Sequence, residues 1–387
     1  MPYKITLALL PAGCAMSAVK GPGEVCIALR EFVSSEDGDM LIQRLEGIPS
    51  VILAQARPQR LGLYSTIDHM LAIIETSRTA TVYINELCFM AEMQPKRDVK
   101  KGEGVFFDDI ADMQRMRICF GTEPVAIPPE TGVVLLFSQG WRKGLYYDLG
   151  PLVPRGGQPR DYDIEMALGH CFARLAFQKR LRISDDEWTE LLRQRWFPFI
   201  GLSANALNEV LGHVRSGWAI DDLLARIYEE TSGRLLPERG KWGNNPFFAP
   251  HAEILKTAAK HYQAQDFISA VSVLYPRIEG ILRTYHLSLT PAGKTTSQAL
   301  VDSATVGNPR IQHPHSLLLP NRFRTFLRDV FFEQFDPRNP ENLSRYTVAH
   351  GVAPVVDFNM KSATLGFLIL EQLSYCLTPY TPPGFLR

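Results

Sequence analysis

An arginine and a histidine stand five positions apart near the end of the chain, in the segment ENLSRYTVAHGV at 341–352. Arg345 could hold a phosphate group, because a planar guanidinium donates two parallel hydrogen bonds to an oxyanion. His350 could move a proton, because an imidazole changes its charge near neutral pH. Side chains of these two types could therefore cleave a phosphodiester, with Arg345 as the electrophile and His350 as the acid or base.

The same segment has the signals of a short helix. Asn339 and Pro340 suit its cap and its first position, and Gly351 suits its end. Five residues turn an ideal helix through about 140° and advance it by about 7.5 Å, so Arg345 and His350 do not share a face. The long arginine side chain could still fold back toward the imidazole. The plainer interpretation is that Arg345 is a solvated surface residue and that His350 only ends the helix.

A second charged pair lies on an earlier predicted helix, which Asp266 would cap. Glu279 and Arg283 are spaced i,i+4 beside the apolar stripe of this helix. Such a pair ordinarily stabilises a helix by about 0.2–0.5 kcal/mol. Alternatively, the pair supports the candidate site and orients Arg345 or His350 through a charge-assisted hydrogen bond.

Two segments, SVLYPRIEGILR at 272–283 and NLSRYTVAHG at 342–351, precede a closing apolar helix. This combination resembles the HEPN (higher eukaryote and prokaryote nucleotide-binding) superfamily, and in particular its bacterial branch, over roughly residues 250–380. The resemblance implies a helical bundle that dimerises so that two copies of the motif face one cleft. It also implies RNA cleavage without metal, with Arg345 on the phosphate and His350 as acid or base at the ribose 2′-hydroxyl or the leaving oxygen.

Many HEPN proteins are toxins or phage-defence effectors, and many others are catalytically silent binding or dimerisation modules. The resemblance therefore leads to a ribonuclease with RNA or a nucleotide as substrate. The alternative is a non-catalytic sensor or scaffold that dimerises and binds RNA or a nucleotide.

Composition limits these alternatives. Lys plus Arg and Asp plus Glu both number 41, so no overall positive charge attracts the protein to nucleic acid or membranes, and any RNA contact must be local.

The six cysteines are scattered, which favours reduced thiols in a cytoplasmic protein. No apolar run approaches the roughly 20 residues of a membrane span. The short apolar run at 5–10 ends at Pro11 and predicts a buried first strand rather than a cleaved signal.

The patterning predicts an α+β protein. Residues 1–155 form a mixed α/β region, with strands in EVCIALREFV, SVILAQA and TATVYINELCFM, a helix at 65–77 and a hairpin that turns near Gly140. Residues 156–231 form a helical extension of that region, residues 232–249 form a Gly- and Pro-rich linker, and residues 250–387 form the HEPN-like helical domain. The partner of the N-terminal region is not identified by any motif.

Two weaker candidates remain. Trp141, Arg142 and Lys143 combine an aromatic ring with cations and could contact RNA, although aromatic residues at a hairpin turn more often pack against the fold. His313 and His315 could ligate a metal, but no Cys or acidic partner follows at the spacing of a metal site. No cofactor and no metal are therefore expected.

Overall fold

The computed structural model describes residues 2–11, 14–16, 26–56, 66–152, 157–338 and 342–378, with only the backbone at 14–16, 26 and 236–241. The chain has an α+β fold. It divides into two compact units: the first comprises residues 1–93 and 113–178, and the second comprises residues 94–112 and 179–387.

Antiparallel strands dominate the first unit. The strands are β1 Tyr3–Thr6, β2 Cys14–Met16, β3 Cys26–Ala28, β4 Arg30–Ser34, β5 Met70–Ile74, β6 Thr79–Ile84, β7 Leu87–Pro95, β8 Ile110–Phe120, β9 Glu123–Pro124, β10 Gly132–Gln139 and β11 Arg142–Asp148. Six of them form one sheet in the order β1-β6-β5-β10-β11-β4, while β7-β8-β9 and β2-β3 form smaller sheets.

The helices are α1 Asp39–Gly47, α2 Pro49–Ala56, α3 Ile164–Ala176, α4 Gln178–Leu181, α5 Asp185–Arg193, α6 Ala204–Ser216, α7 Leu224–Trp242, α8 Ala252–Gln263, α9 Phe267–Leu289, α10 Ser297–Ala304, α11 Pro320–Phe326, α12 Arg345–His350 and α13 Met360–Cys376. A π-helical segment, Leu327–Phe331, continues α11. No helix over the described residues is long and apolar enough to cross a membrane.

Both faces of the six-stranded sheet are buried. Val134 and Leu136 of β10 pack in one core with α1 and α2, whereas Leu135 and Phe137 pack in the opposite core with α3. The predicted hairpin is confirmed: β10 pairs with β11, and Gly140 turns between them with φ +60°.

Two of the predicted elements in this unit are wrong. The segment at 65–77 contains strand β5, which pairs with β6 and β10. The segment SVILAQA lies in helix α2. Both are short apolar runs, and burial in the sheet or on its face decides their conformation more than local periodicity does.

Helix α9 lies at the centre of the second unit and packs against α8, α10, α12 and α13. Three cap predictions from local sequence patterns are confirmed in this unit. The predicted cap Asp266 caps α9 with its side chain. The Ser-x-x-Glu pattern of Ser184 and Glu187 predicts a capping box, which forms at α5, and Asn359, which precedes an apolar run, caps α13. The phenylalanines at 197, 199, 323 and 326 stack together in the core.

The predicted domain organisation differs from the structure at two places. Helix α7 runs through most of the predicted linker at 232–249, held by the buried side chains of Leu235 and Trp242. Residues 179–231, predicted as an extension of the N-terminal region, belong to the second unit with the C-terminal helices. Burial of apolar side chains on α7 therefore outweighs the Gly and Pro content of this segment.

Candidate functional site

The helix that carries both candidate residues is shorter than predicted. Ser344 caps α12 by accepting a hydrogen bond from the backbone N–H of Thr347, and both side chains are buried. Arg345 is thus the first helical residue and His350 the last, while Gly351 ends the helix with φ +66°. The predicted cap residues at 339 and 340 lie outside the described residues. A buried cap fixes the backbone from which Arg345 projects.

Glu279 joins the two predicted groups of residues. Its Oε2 lies 2.9 Å from Nε of Arg345, and its Oε1 accepts a hydrogen bond of 2.8 Å from Nη2 of Arg283. Arg283 in turn donates from Nη1 to the hydroxyl of Thr295 at 2.7 Å. The structure therefore brings Glu279, Arg283 and Arg345 into one chain of ionic contacts between α9 and α12.

The contact between Arg345 and Glu279 is partly desolvated. Only 16% of the Arg345 side chain and 18% of the Glu279 side chain are exposed. The N–H of Nε does not point along the line to the carboxylate, so the contact is an ion pair rather than an aligned hydrogen bond. A guanidinium carries five N–H donors, so this geometry leaves the terminal nitrogens of Arg345 able to bind a phosphate.

His350 occupies a different environment. Its side chain is exposed at the C-terminal turn of α12, and its ring lies 5.6 Å from that of Phe335, centroid to centroid. Within the described residues, the imidazole makes no hydrogen bond or ion pair and does not touch Glu279 or Arg283. Both ring nitrogens can therefore exchange protons with a bound molecule.

The hairpin residues proposed to contact RNA belong to the first unit. Trp141 is 76% exposed, and the guanidinium of Arg142 lies 5.1 Å from its ring centroid. The ammonium of Lys143 donates to the carbonyl of Ile67, and burial lowers the pKa of this amine. Trp141 is thus available for stacking. Arg142 is less so, because it lies 3.7 Å from a Glu36 carboxylate oxygen with 28% of its side chain exposed, and Lys143 contributes to the fold.

The two histidine rings of the HPH segment pack edge to face, with ring centroids 5.3 Å apart. Across the described part of the chain, no group of three or more His, Cys, Asp or Glu side chains could hold a metal ion.

Sequence reasoning missed a small polar cavity of about 120 Å³ next to the residues that lead into α12. Arg195 lines it, pairs with Glu333 at 2.6 Å and donates to the carbonyl of Leu343 at 3.0 Å. Lys361 and Asn342 also line it. The sequence around Arg195 does not indicate that this residue lines a cavity, because its partners Glu333 and Leu343 lie more than a hundred residues further along the chain.

Comparisons with protein-family models, with curated proteins and with solved structures find no match to this chain. The functional assignment therefore depends on the geometry of the candidate site and on the resemblance of its motifs.

Proposed function

We propose that the second unit carries a metal-independent ribonuclease site in which Arg345 binds the scissile phosphate and His350 transfers the proton. The observation that supports this most directly is the ion pair with Glu279. It holds the guanidinium of Arg345 beside α9 while His350, at the other end of the same short helix, stays open to solvent. Positioned groups of this kind are what general acid–base and electrostatic catalysis require.

In the proposed reaction, His350 takes the proton of a ribose 2′-hydroxyl, and the 2′-oxygen attacks the adjacent phosphorus. The bond from phosphorus to the 5′-oxygen breaks, that oxygen receives a proton, and a 2′,3′-cyclic phosphate forms. Arg345 stabilises the added negative charge on the phosphate. One His350 supplies a base but no separate acid, so we further propose that a second copy of the chain supplies the acid in a homodimer.

The biological setting follows from the same proposal. The four cysteines whose side chains are described are free thiols, as is usual for cytoplasmic proteins. An RNA-cleaving protein of this kind would act in the cytoplasm, as a toxin or a phage-defence effector.

A second candidate is a non-catalytic sensor or scaffold that binds RNA or a nucleotide. The observation in its favour is also the Glu279 contact, because a carboxylate that already neutralises Arg345 competes with a phosphate for the guanidinium.

The deciding experiment incubates purified protein with fluorescent single-stranded RNA, with and without EDTA. We expect cleavage that EDTA does not change, 2′,3′-cyclic phosphate ends, and loss of cleavage in Arg345→Ala and His350→Ala. The matched controls are Arg193→Ala and His261→Ala, two accessible side chains of the same unit, each in a local ion pair.

Cleavage that survives His350→Ala, or that disappears with EDTA, would contradict the ribonuclease proposal. RNA binding without cleavage, weakened by Arg345→Ala, would favour the sensor.

A further inference from the structure

Three sulfur-bearing side chains lie together on one face of the first unit. Cys88 and Met90 are alternate residues of β7, and Cys119 lies on β8, the neighbouring strand of the same small sheet. Successive side chains of a strand point to opposite faces. Phe89 of β7 and Ile118 of β8 both pack in the core that contains α3. Cys88, Met90 and Cys119 therefore lie on the face of the small sheet that points away from this core.

Cys119 contacts both of the other side chains. Its thiol donates to the thioether sulfur of Met90 at 3.5 Å. The thiol of Cys88 donates to the backbone carbonyls of Cys119 and Gly121, at 3.7 and 3.2 Å. Burial, followed by the neighbouring thiol of Cys88, raises the pKa of Cys119, so the two thiols are close enough to interact. The three sulfur atoms thus form one cluster.

The sulfur cluster is open to solvent on one side. Cys88 and Met90 are exposed, Met90 to 60%, whereas only 1% of Cys119 is exposed. Both cysteines are free thiols. An ion that arrives from solvent can therefore meet Cys88 and Met90 first and bind Cys119 beneath them.

The types of the three side chains indicate which ion this would be. Thiolate and thioether sulfurs are soft ligands, and together they select Cu(I). Structural Zn²⁺ sites instead take four ligands from Cys, His and carboxylates. Within the described residues, no His, Asp, Glu or further Cys joins Cys88 and Cys119 in a group that could hold a metal ion. The thioether of Met90 is therefore the third ligand, and this combination suits Cu(I) rather than Zn²⁺.

The spacing of the sulfur atoms suits an ion with three ligands. Metal–sulfur bonds of about 2.3 Å in a trigonal plane place two sulfur atoms about 4 Å apart. The sulfurs of Cys119 and Met90 lie 3.5 Å apart, so they need to separate by only about half an ångström. The Met90 side chain can make this movement, because methionine is unbranched and flexible and this one is exposed.

The charges next to the sulfur cluster are nearly balanced. Arg117, two residues before Cys119 on β8, donates to both carboxylate oxygens of Glu165, at 2.9 and 3.2 Å. The proposed binding does not depend on an excess of either charge, because each thiol loses its proton when it becomes a ligand. Two thiolates and one Cu(I) carry one net negative charge, which the nearby guanidinium of Arg117 favours.

We propose that Cys88, Cys119 and Met90 form a binding site for Cu(I) in the first unit. The bound ion replaces the protons of the two thiols, which pass to the solvent, and the thioether binds without losing a proton. This site goes beyond the ribonuclease, because its ligands belong to the first unit whereas Arg345 and His350 belong to the second.

The test titrates the reduced full chain, without oxygen, with the Cu(I) complex of bicinchoninate, a coloured chelator that competes for the ion. The unchanged protein should withdraw Cu(I) from this complex. Cys88→Ser should weaken the binding by about 100-fold or more, since even side chains that only orient metal ligands contribute about 10- to 100-fold. Met90→Leu should weaken it by about tenfold. The matched control is Met166→Leu, because Met166 is also an exposed methionine of the first unit, 43% exposed on α3.

Two other cysteines of the first unit, Cys14 and Cys26, require a control of their own. Cys14→Ser combined with Cys26→Ser should leave the tightest Cu(I) affinity unchanged. Loss of that affinity in this double variant would overturn the proposal. So would a protein that withdraws no Cu(I) from the chelator, or equal affinities in Met90→Leu and Met166→Leu.

X-ray absorption at the copper edge gives a second readout with one equivalent of Cu(I). It should show three sulfur neighbours at about 2.3 Å in the unchanged protein and two in Met90→Leu. Two sulfur neighbours in both proteins would contradict the role of Met90. RNA cleavage by Cys88→Ser should match that of the unchanged protein, so the copper site and the ribonuclease can each fail without the other.

Discussion

The Oε2 atom of Glu279 lies 2.9 Å from Nε of Arg345, so a carboxylate on α9 sets the position of an arginine on α12. Arg283 holds the other carboxylate oxygen, so Glu279 stands between two cations. Removing Glu279 would leave two neighbouring guanidinium groups without their shared counter-charge. The arrangement combines a structural function, which is to join two helices, with control over how strongly Arg345 attracts a phosphate.

Glu279→Gln tests this control. The amide keeps the shape of the side chain but removes the negative charge that competes with phosphate, so we expect tighter RNA binding. We also expect the free energy of unfolding to fall by about 1–3 kcal/mol, because hydrogen bonds to a charged partner are weakened. Fluorescence anisotropy with labelled RNA measures the affinity, and thermal denaturation measures the stability. The control is Glu253→Gln, because Glu253 forms an exposed i,i+3 ion pair with Lys256. This substitution should change neither the RNA affinity nor the stability. Unchanged RNA affinity in Glu279→Gln would show that Arg345 does not meet the phosphate.

The cap of α12 allows a test of positioning. Ser344→Ala removes the hydrogen bond to the Thr347 N–H and should lower the free energy of unfolding by about 1 kcal/mol. RNA cleavage should fall as well, because Arg345 is the next residue and loses its fixed backbone. Ser184→Ala removes an equivalent cap from α5 and should lower stability by a similar amount without affecting cleavage. Equal cleavage by the two variants would mean that the geometry of α12 does not matter for activity.

The sequence predicted the features that local chemistry controls. Ser184 with Glu187, Asp266 and Asn359 are caps that a helix needs wherever it lies, and Gly140 and Gly351 adopt the positive φ that their turns require. Features that depend on distant partners were not predictable. Strand β5 resembles a helix until its neighbours in the sheet are known, and α7 continues through the predicted linker because Leu235 and Trp242 are buried.

The same distinction applies to the two sites. Glu279 and Arg283 are one turn apart, so their pairing could be expected from spacing alone. The contact between Glu279 and Arg345 joins positions far apart in the chain. From the sequence, it could be expected only because the segments that carry these two residues resemble HEPN motifs. A cavity of about 390 Å³ in the second unit, lined by Lys96, Arg234 and Glu371 among others, has no local signature, because its walls come from four segments that meet only in the folded unit.

The buried amine of Lys96 should make stability depend on pH in a defined direction. Its pKa in the folded protein, about 8, lies below the value of 10.5 expected for an exposed lysine. Below pH 8 both states are protonated, and the cost of burying the charge is present in full. Between these two values the folded state loses its proton first, so the contribution of Lys96 to folding becomes more favourable as the pH rises.

Lys96→Met should therefore be more stable than the unchanged protein at neutral pH, by about 1–3 kcal/mol. This difference should shrink as the pH approaches 10.5, the value for an exposed lysine. Urea denaturation over this pH range measures the difference, and Lys100→Met should show no such trend. A difference that is constant with pH would contradict a lowered pKa.

Two glycines of the second unit should respond oppositely to substitution. In Gly201→Ala the new methyl group would collide with the Glu371 carboxylate, and we expect a loss of about 1–3 kcal/mol in the free energy of unfolding. Gly212 lies within α6 with no atom near its would-be Cβ, so Gly212→Ala should stabilise the protein by up to about 1 kcal/mol. Thermal denaturation compares the two. A neutral Gly201→Ala would show that the Glu371 carboxylate can move aside although Arg234 donates to both of its oxygens.

The last prediction concerns assembly. The helices at 316–335 and 360–377 are apolar enough in sequence to suggest contact surfaces between two copies, but both are used in the core of the unit. Phe323, Phe326 and Phe331 are buried, and most of α13 is buried as well. Apolar side chains do remain exposed just after α12, where Val355 is 68% and Val356 is 74% exposed.

We propose that these two valines lie in the contact between copies, which would bring two His350 side chains toward one cleft. Analytical ultracentrifugation at micromolar concentration should show a homodimer, and Val355→Asp combined with Val356→Asp should give a monomer that has lost RNA cleavage but melts at a similar temperature. Leu289→Asp is the control, because Leu289 is an apolar side chain that is 51% exposed at the end of α9, and it should leave the dimer and its activity intact. A monomer that cleaves RNA would exclude a paired site, because the proton for the leaving oxygen would then come from within one chain or from water.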